Sequence, residues 1–346
     1  MSPVSGSLNL EVVAEEAFAP VAAAIAAGRI PGAVLGIVTA DGARAVRVAG
    51  AAQLVPRPVA LKRATWFDLA SLTKVIFTTT TILRLVAEGR IGLDDPLTVA
   101  IADLRQYSSD ALERRLTFRQ CLSHQTHLPA VEPLYTYGQD PETLRAFVLQ
   151  RVWLPGPPVY SDINFILLGI AIERLTGAKL GDARLPEGLT FRPNKAECAA
   201  TERCTWRGRV MRGEVHDENA FALGGASGHA GLFGTVDGVL DFAHSILDET
   251  LLPRSILAAM LTPQTPTRAL GWQIRHEGWS GGEICSPATI GHTGFTGIGL
   301  WIDRRNGIGW TLLTNRVHPS RHVESGIEEL RRNVGNLVAG RAAQAV

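Results

Sequence analysis

Trp66-Phe-Asp-Leu-Ala-Ser-Leu-Thr-Lys74 is where the character of the chain changes. Before it the apolar residues fall in short β-rich runs. After it Val75, Ile76, Thr79, Leu83 and Val86 recur at helical spacing as far as Gly89, a residue suited to ending a helix. The spacing predicts a helix from about Ser71 to Glu88, entered from the buried-looking run Trp66 to Ala70. Positions three apart share a helix face, so the Lys74 amine can reach the Ser71 hydroxyl. A serine hydroxyl is a poor nucleophile until a neighbouring base takes its proton. A partly desolvated lysine beside the positive end of a helix has its charged form disfavoured, and the expectation is a Lys74 neutral enough to act as that base. Ser-x-x-Lys also arises by chance, and its setting at the mouth of a helix is what gives it weight.

Working outward, Gly32 to Thr39 is a β-rich run ended by Asp41-Gly42, and Arg44 to Ala49 follows at hairpin spacing. The apolar run Ala17 to Ala27 is preceded by Glu15 and Glu16 where a secretory signal would carry Lys or Arg, so it reads as an amphipathic first helix. The middle is mostly helical segments and loops, including Asn164 to Leu175 and a polar stretch, Gly181 to Asn219, with little periodicity. Strands return at Leu270 to His276, Ile290 to Asp303 and Gly307 to Asn315, and a C-terminal helix is expected from about Arg321. The pattern predicts an α/β protein of the α+β type, a single unit over 1–346. An antiparallel sheet from the two chain ends (about 1–70 plus 238–346) is flanked by helices, and a mostly helical lobe (about 71–237) is inserted.

The 346 residues are 46% hydrophobic and 19% charged with a formal charge of +1, which argues against disorder, nucleic acid or an anionic membrane as partner. A small-molecule substrate is the expected partner, with no cofactor and no metal; the oligomeric state is not readable. No stretch approaches the roughly 18 to 20 apolar residues that span a bilayer. The sequence as written reads as cytoplasmic, or as periplasmic or secreted if a leader was removed. Cys121, Cys198, Cys204 and Cys285 form no C-x-x-C pair and read as buried free thiols, with a Cys198–Cys204 disulfide left open.

Two further elements carry chemistry. Tyr160-Ser161-Asp162 follows the turn-rich Leu154-Pro-Gly-Pro-Pro158 and opens the helix beginning near Asn164. A tyrosine held near a lysine can act as general acid or base, because the adjacent cation favours the phenolate. Gly291-His-Thr-Gly294 lies in the expected strand Ile290 to Asp303, where glycines allow close backbone approach and a free edge can hold an extended substrate.

In this order, Ser71-x-x-Lys74, Tyr160-x-Asp162 and His292-Thr293-Gly294 resemble the three motifs of serine β-lactamases and penicillin-binding proteins. The resemblance extends through Glu88-Gly-Arg-Ile-Gly-Leu-Asp-Asp-Pro96, Val215-His-Asp-Glu-Asn-Ala220 and Gly228-His-Ala-Gly-Leu-Phe233, covers nearly the whole chain, and is closest to the class C-like branch. It implies a β-lactamase/transpeptidase-like fold and acyl transfer to Ser71, with Lys74 and Tyr160 shuttling its proton. Asp162 would stand beside them. The backbone N–H groups of Ser71 and Phe295 would form the oxyanion hole, and His292, Thr293 and Gly294 would meet the substrate. A β-lactam, a D-alanyl peptide and a carboxylic ester all present a suitable carbonyl. The sequence departs from the family pattern at Asp162, where asparagine is common, and at His292, where lysine is common. A mostly neutral histidine attracts a substrate carboxylate less.

Other readings stay open at this point. Gly278-Trp-Ser-Gly-Gly282 fits G-x-S-x-G, with Asp303 and His318 following, as in an α/β-hydrolase using Ser280, although a nucleophile elbow joins a buried strand to a helix. His124 with His127, and His216, Asp217 and His229, are candidate metal ligands without a zinc motif to support them. A catalytically silent or slowly turning-over penicillin-binding sensor would keep the same fold.

Overall fold

The computed structural model describes residues 8–345. Seven strands form one antiparallel sheet: β1 (Gly32–Thr39), β2 (Arg44–Gln53), β3 (Val59–Ala60), β4 (Gln273–Ile274), β5 (Thr289–Gly294), β6 (Ile298–Asp303) and β7 (Ile308–Thr314), in the order β3-β2-β1-β7-β6-β5-β4. The first and last thirds of the chain meet where β1 pairs with β7, Ala33 opposite Thr314 and Thr39 opposite Ile308. Both faces are covered, so β1 is apolar from Gly32 to Val38, and the alternation of side chains assigns Ala33, Leu35 and Ile37 to one core and Val34 and Val38 to the other. Helices α1 (Leu10–Ala26) and α5 (Ile327–Ala345) pack on the first face, around Trp301 and Trp310. The second face takes α4 (Val236–Leu247), admitted by Gly36, where a Cβ would lie 2.6 Å from Val236. This is an α+β architecture with an antiparallel sheet, as the pattern predicts. The expected boundary at residue 238 falls inside α4, a helix that packs against β1 and β7.

Several boundaries differ from expectation. The single strand expected over Ile290 to Asp303 is a hairpin, β5 and β6, because the chain reverses at Phe295–Gly297. Gly297 has φ +107°, and a Cβ there would lie 2.2 Å from Thr314 Oγ1. The Leu270 to His276 run keeps only β4 as strand, since Ala269 and Leu270 donate instead to Trp272 and Met260. The C-terminal helix starts at Ile327 rather than near Arg321, because Arg321 is drawn into ion pairs with Glu202 and Glu218 and Gly326 takes a left-handed turn. The polar stretch 181–219 holds an antiparallel pair, Ala200–Cys204 with Arg209–Arg212, that its weak periodicity did not announce.

The helix expected from Ser71 forms in two parts. Lys74–Thr79 is π-helical and leads into α2 (Thr80–Ala87). The consecutive threonines account for the widening: Thr79 and Thr80 hydroxyls donate to the Lys74 and Val75 carbonyls at 2.7 and 3.1 Å, five residues back. Helix α3 (Asp162–Thr176) runs past this segment, and its Gly169 meets Gly228 with almost no space between backbones. All four cysteines are free and buried.

Two outcomes test this packing. A Cβ on Gly228 would lie 2.0 Å from the Phe165 carbonyl oxygen, so Gly228→Ala is expected to lower unfolding free energy by about 1–3 kcal/mol in urea titrations. Burial opposes ionisation of Glu202, yet hydrogen bonds from His216 and Arg321 lower its carboxyl from 4.5 to about 2. Its stabilising contribution is therefore present above about pH 4.5 and fades as pH falls toward 2. Glu202→Gln should be less stable than the parent at pH 7, and the gap should shrink at pH 3; an equal gap at both values would contradict the ion-pair account.

Candidate active site

Asp68, at the end of the short strand Phe67–Asp68, aims the chain into the site. Its buried carboxylate accepts the Ala70 N–H at 2.8 Å and the His216 N–H at 2.6 Å. Ala70 is left with φ +41°, a strained value for a residue with a Cβ, immediately before Ser71. From there the helical turn brings Lys74 Nζ to 2.9 Å from Ser71 Oγ. The loop 228–233 is stitched along the same turn: Leu69 N–H donates to the Leu232 carbonyl at 2.8 Å, Leu232 N–H to Thr73 Oγ1 at 3.1 Å, and Lys74 Nζ to the His229 carbonyl at 3.1 Å.

Lys74 is 0% exposed. Asp162 Oδ1 lies 2.8 Å from its Nζ, and the Tyr160 ring centroid lies 5.1 Å from it. Burial alone would strip the proton, but Asp162, and after it Tyr160, outweigh that and raise the Lys74 pKa above the ordinary lysine value. The expectation of a neutral lysine base is thus corrected: the carboxylate found where asparagine is common keeps Lys74 an ammonium.

His292 lies on the far side of Tyr160, 5.9 Å between ring centroids, with only 2% of its surface exposed. Burial, then the charges of Lys74 and Arg268, push its pKa down to about 3, so the ring is neutral at physiological pH. Its Nδ1 donates to the Thr293 carbonyl at 2.9 Å in the neutral tautomer that this contact selects. Strand β4 pairs only with Ile290 and Gly291, which leaves His292, Thr293 and Gly294 on a free edge. The Thr296 hydroxyl donates to the Asp68 carbonyl at 2.9 Å, which ties the β5–β6 turn beside Ser71. Neither the Ser71 N–H nor the Phe295 N–H donates to a protein acceptor among the described residues. The Phe295 ring is half exposed, stacked on His216 at 5.7 Å and covered by Arg316 at 4.8 Å.

The motif residues therefore converge. The alternative groupings do not. Ser280 Oγ contacts Trp301 Nε1 at 3.4 Å, Asp303 is bonded to Ser286 and Asn306, and His318 bridges Thr201 and Leu54, so these three share no hydrogen bond. Asp162, Asp217 and His229 do place their ligand atoms within 4.8 Å of one another. The cation among them is Lys74, while His229 Nε2 pairs with Asp217 at 2.8 Å and its Nδ1 with Ser227 at 2.9 Å. Burial opposes ionisation of Asp217, but His229, the Ala220 N–H and Lys74 together hold its carboxyl well below the usual range. His216 is bound to Glu202, and His127 lies 3.8 Å from Glu113. His124, entertained only as a metal ligand, instead accepts the Ser161 N–H on Nδ1 at 3.0 Å and packs on the Tyr160 ring at 4.5 Å. Arg268 was not singled out from sequence, yet its guanidinium lies 5.1 Å from that ring. No local pattern marks it, since the loop Thr265–Arg268 reaches the site only through tertiary packing.

A cavity of about 560 Å³ lies behind the helix, lined by Ile76, Phe77, Ile172 and Phe242, and contains none of the three motifs. No helix among the described residues is long and apolar enough to cross a membrane.

Comparison with known proteins bears on the family and the fold. The chain is 32% identical to an N-acetylmuramyl-L-alanine amidase of Bacillus subtilis over 85% of this chain and 79% of that protein. Its fold is similar to a penicillin-binding protein homologue from Caulobacter crescentus (TM-score 0.72, 17% identity, 98% of each chain). It is also similar to a class C β-lactamase from Rhodobacter sphaeroides (TM-score 0.71, 18% identity, 93% of this chain and 98% of that one). With the β-lactamase family profile matching residues 18–332, the chain belongs to the β-lactamase family.

Proposed function

We propose that this protein is a serine hydrolase that works through a Ser71 acyl-enzyme. The observation that carries the reading is the buried Lys74 ammonium, 2.9 Å from Ser71 Oγ, 2.8 Å from Asp162 and beside the Tyr160 phenol. Ser71 Oγ attacks the substrate carbonyl, and its proton passes to the Tyr160 oxygen, acting as a phenolate whose own proton has gone to solvent, rather than to the lysine, which is already protonated. Tyr160 then returns that proton to the departing nitrogen or oxygen as the acyl bond breaks. In the second half Tyr160 takes a proton from water, the hydroxide attacks the ester, and Ser71 recovers its hydrogen. Lys74 orients Ser71 and offsets negative charge on the relay. The N–H groups of Ser71 and Phe295 receive the oxyanion, each contributing on the order of 3 kcal/mol at the transition state. The free edge of His292, Thr293 and Gly294 holds the substrate backbone.

The Bacillus relative's name makes an amide of the N-acetylmuramyl-L-alanine kind the first choice of substrate. A β-lactam, a D-alanyl peptide and a small ester offer the same carbonyl chemistry.

A panel of N-acetylmuramyl-L-alanine, nitrocefin, a D-Ala-D-Ala peptide and a p-nitrophenyl ester identifies the preferred bond. Ser71→Ala is expected to lose more than about 10⁴-fold in kcat on whichever is turned over. Activity that survives in Ser71→Ala would refute the reading. Asp162→Asn removes the charge that raises the Lys74 pKa, so the alkaline limb of the kcat/KM profile should move to lower pH. An alkaline limb that stays in place would mean Asp162 does not govern the charge on Lys74.

A further inference from the structure

The cavity of about 560 Å³ takes no part in the chemistry proposed for Ser71. It lies between α2, α3, α4 and the loop 178–189, and its buried wall includes Ile76, Phe77, Leu85, Ile172, Leu180 and Phe242. The hydroxyls along it are engaged within their own helices. Thr80 and Thr81 donate to the Val75 and Phe77 carbonyls at 3.1 and 2.7 Å, Thr176 to the Ile172 carbonyl at 2.8 Å and Ser245 to the Phe242 carbonyl at 2.7 Å. With these donors satisfied, the wall offers little to hold water and is apolar in character. It is also braced against collapse. Phe77 packs edge-on against Phe191 at 4.9 Å, and Phe242 stacks on Trp272 at 6.2 Å. The loop is held to α4 where Gly188 meets Gly238: a Cβ on Gly238 would lie 2.4 Å from the Gly188 carbonyl oxygen, which also accepts the Thr235 N–H at 2.9 Å. A preformed apolar cavity of roughly 300–1,000 Å³ is the usual form of a small-molecule site.

The exposed rim carries the cations Arg84, Arg90, Lys179 and Arg184 against two carboxylates, Glu88 and Asp241. Asp241 pairs with Arg44 at 2.6 Å, Glu88 lies 4.0 Å from Arg90, and Lys179 pairs with Glu142 at 2.9 Å. Arg84 and Arg184 have neither an ion pair nor a side-chain hydrogen bond among the described residues. An apolar interior under an uncompensated positive rim suits a ligand with an apolar chain and one anionic end, and the planar guanidinium matches a carboxylate.

We propose that this cavity is a second ligand site, separate from Ser71, and that it takes a linear aliphatic carboxylate. The chain lies along Ile76, Phe77 and Phe242, and the carboxylate stays at the rim that carries Arg84 and Arg184. Binding there does not depend on the reading of Ser71 as a nucleophile.

Calorimetric titration of the full chain tests this, with decanoate, decan-1-ol and decylammonium each kept below the concentration at which it forms micelles. The parent should bind decanoate about 10-fold tighter than the alcohol, and the ammonium most weakly. Shortening decanoate to octanoate should weaken binding about 10-fold, since each buried methylene contributes up to about 4-fold. The double variant Arg84→Gln, Arg184→Gln should lose the advantage of acid over alcohol while the alcohol binds as before. Ala183→Trp, which adds an indole to the cavity lining, should bind neither, whereas Ser71→Ala should bind decanoate like the parent. Thermal melts check the folding of Ala183→Trp, and the exposed arginines give an answer without it. No binding of decanoate by the parent, no preference for the acid, or affinity that survives in folded Ala183→Trp overturns the proposal. Loss of binding in Ser71→Ala would put the ligand at the active site and overturn it as well. The activity of Ser71→Ala is read separately, so failure of the hydrolase reading and failure of the second site are distinct results.

Discussion

A lysine ammonium entirely removed from water constrains everything around it. Burying a charge of that kind is costly unless a partner and hydrogen bonds compensate, and a pair broken on one side leaves the other charge stranded. Lys74 meets the requirement with Asp162 from the start of α3, the His229 carbonyl from the loop after it, and Ser71 from its own turn. Three segments distant in sequence are thereby held to one nitrogen. The close contact of Gly169 with Gly228 and the hydrogen bond from Thr78 to the Gly228 carbonyl at 2.6 Å keep the loop at the required distance. The electrostatic need of one side chain and the steric permissiveness of two glycines act on the same few ångströms.

That arrangement divides the site into regions of different charge. Around Lys74, negative groups dominate: Asp162, with Asp217 held ionised by His229. Around Tyr160, the neighbours are neutral rings and the Arg268 guanidinium. The phenol lies at the boundary, where a proton crossing from serine to leaving group would travel.

Much of the fold was legible because it rests on local signals. The β-rich run Gly32 to Thr39 and the helical spacing after Ser71 are properties of adjacent residues, and both survive in the structure. The three motifs were legible as a set because their residue types are demanded by chemistry. What was missed depends on partners far away in sequence. The reversal at Gly297 is set by Thr314 and Arg316, and the late start of α5 by Glu202 and Glu218. The charge state of Lys74 was misjudged because desolvation was weighed without the carboxylate that offsets it. Arg268 lies just before the run read as strand, Leu270 to His276, and only the packing of its loop against the segment holding Gln125 delivers it to Tyr160.

The π-helical stretch Lys74–Thr79 has a consequence for how this protein can change over evolution. Between Ser71 and α2 it acts as a slack turn: the orientation of the serine and lysine is set upstream, while Ile82, Leu83 and Leu85 seat in the core downstream. A wider turn uncouples the two registers, so repacking of the helix interior need not rotate the nucleophile. The threonine hydroxyls that satisfy the displaced carbonyls make that freedom compatible with full burial.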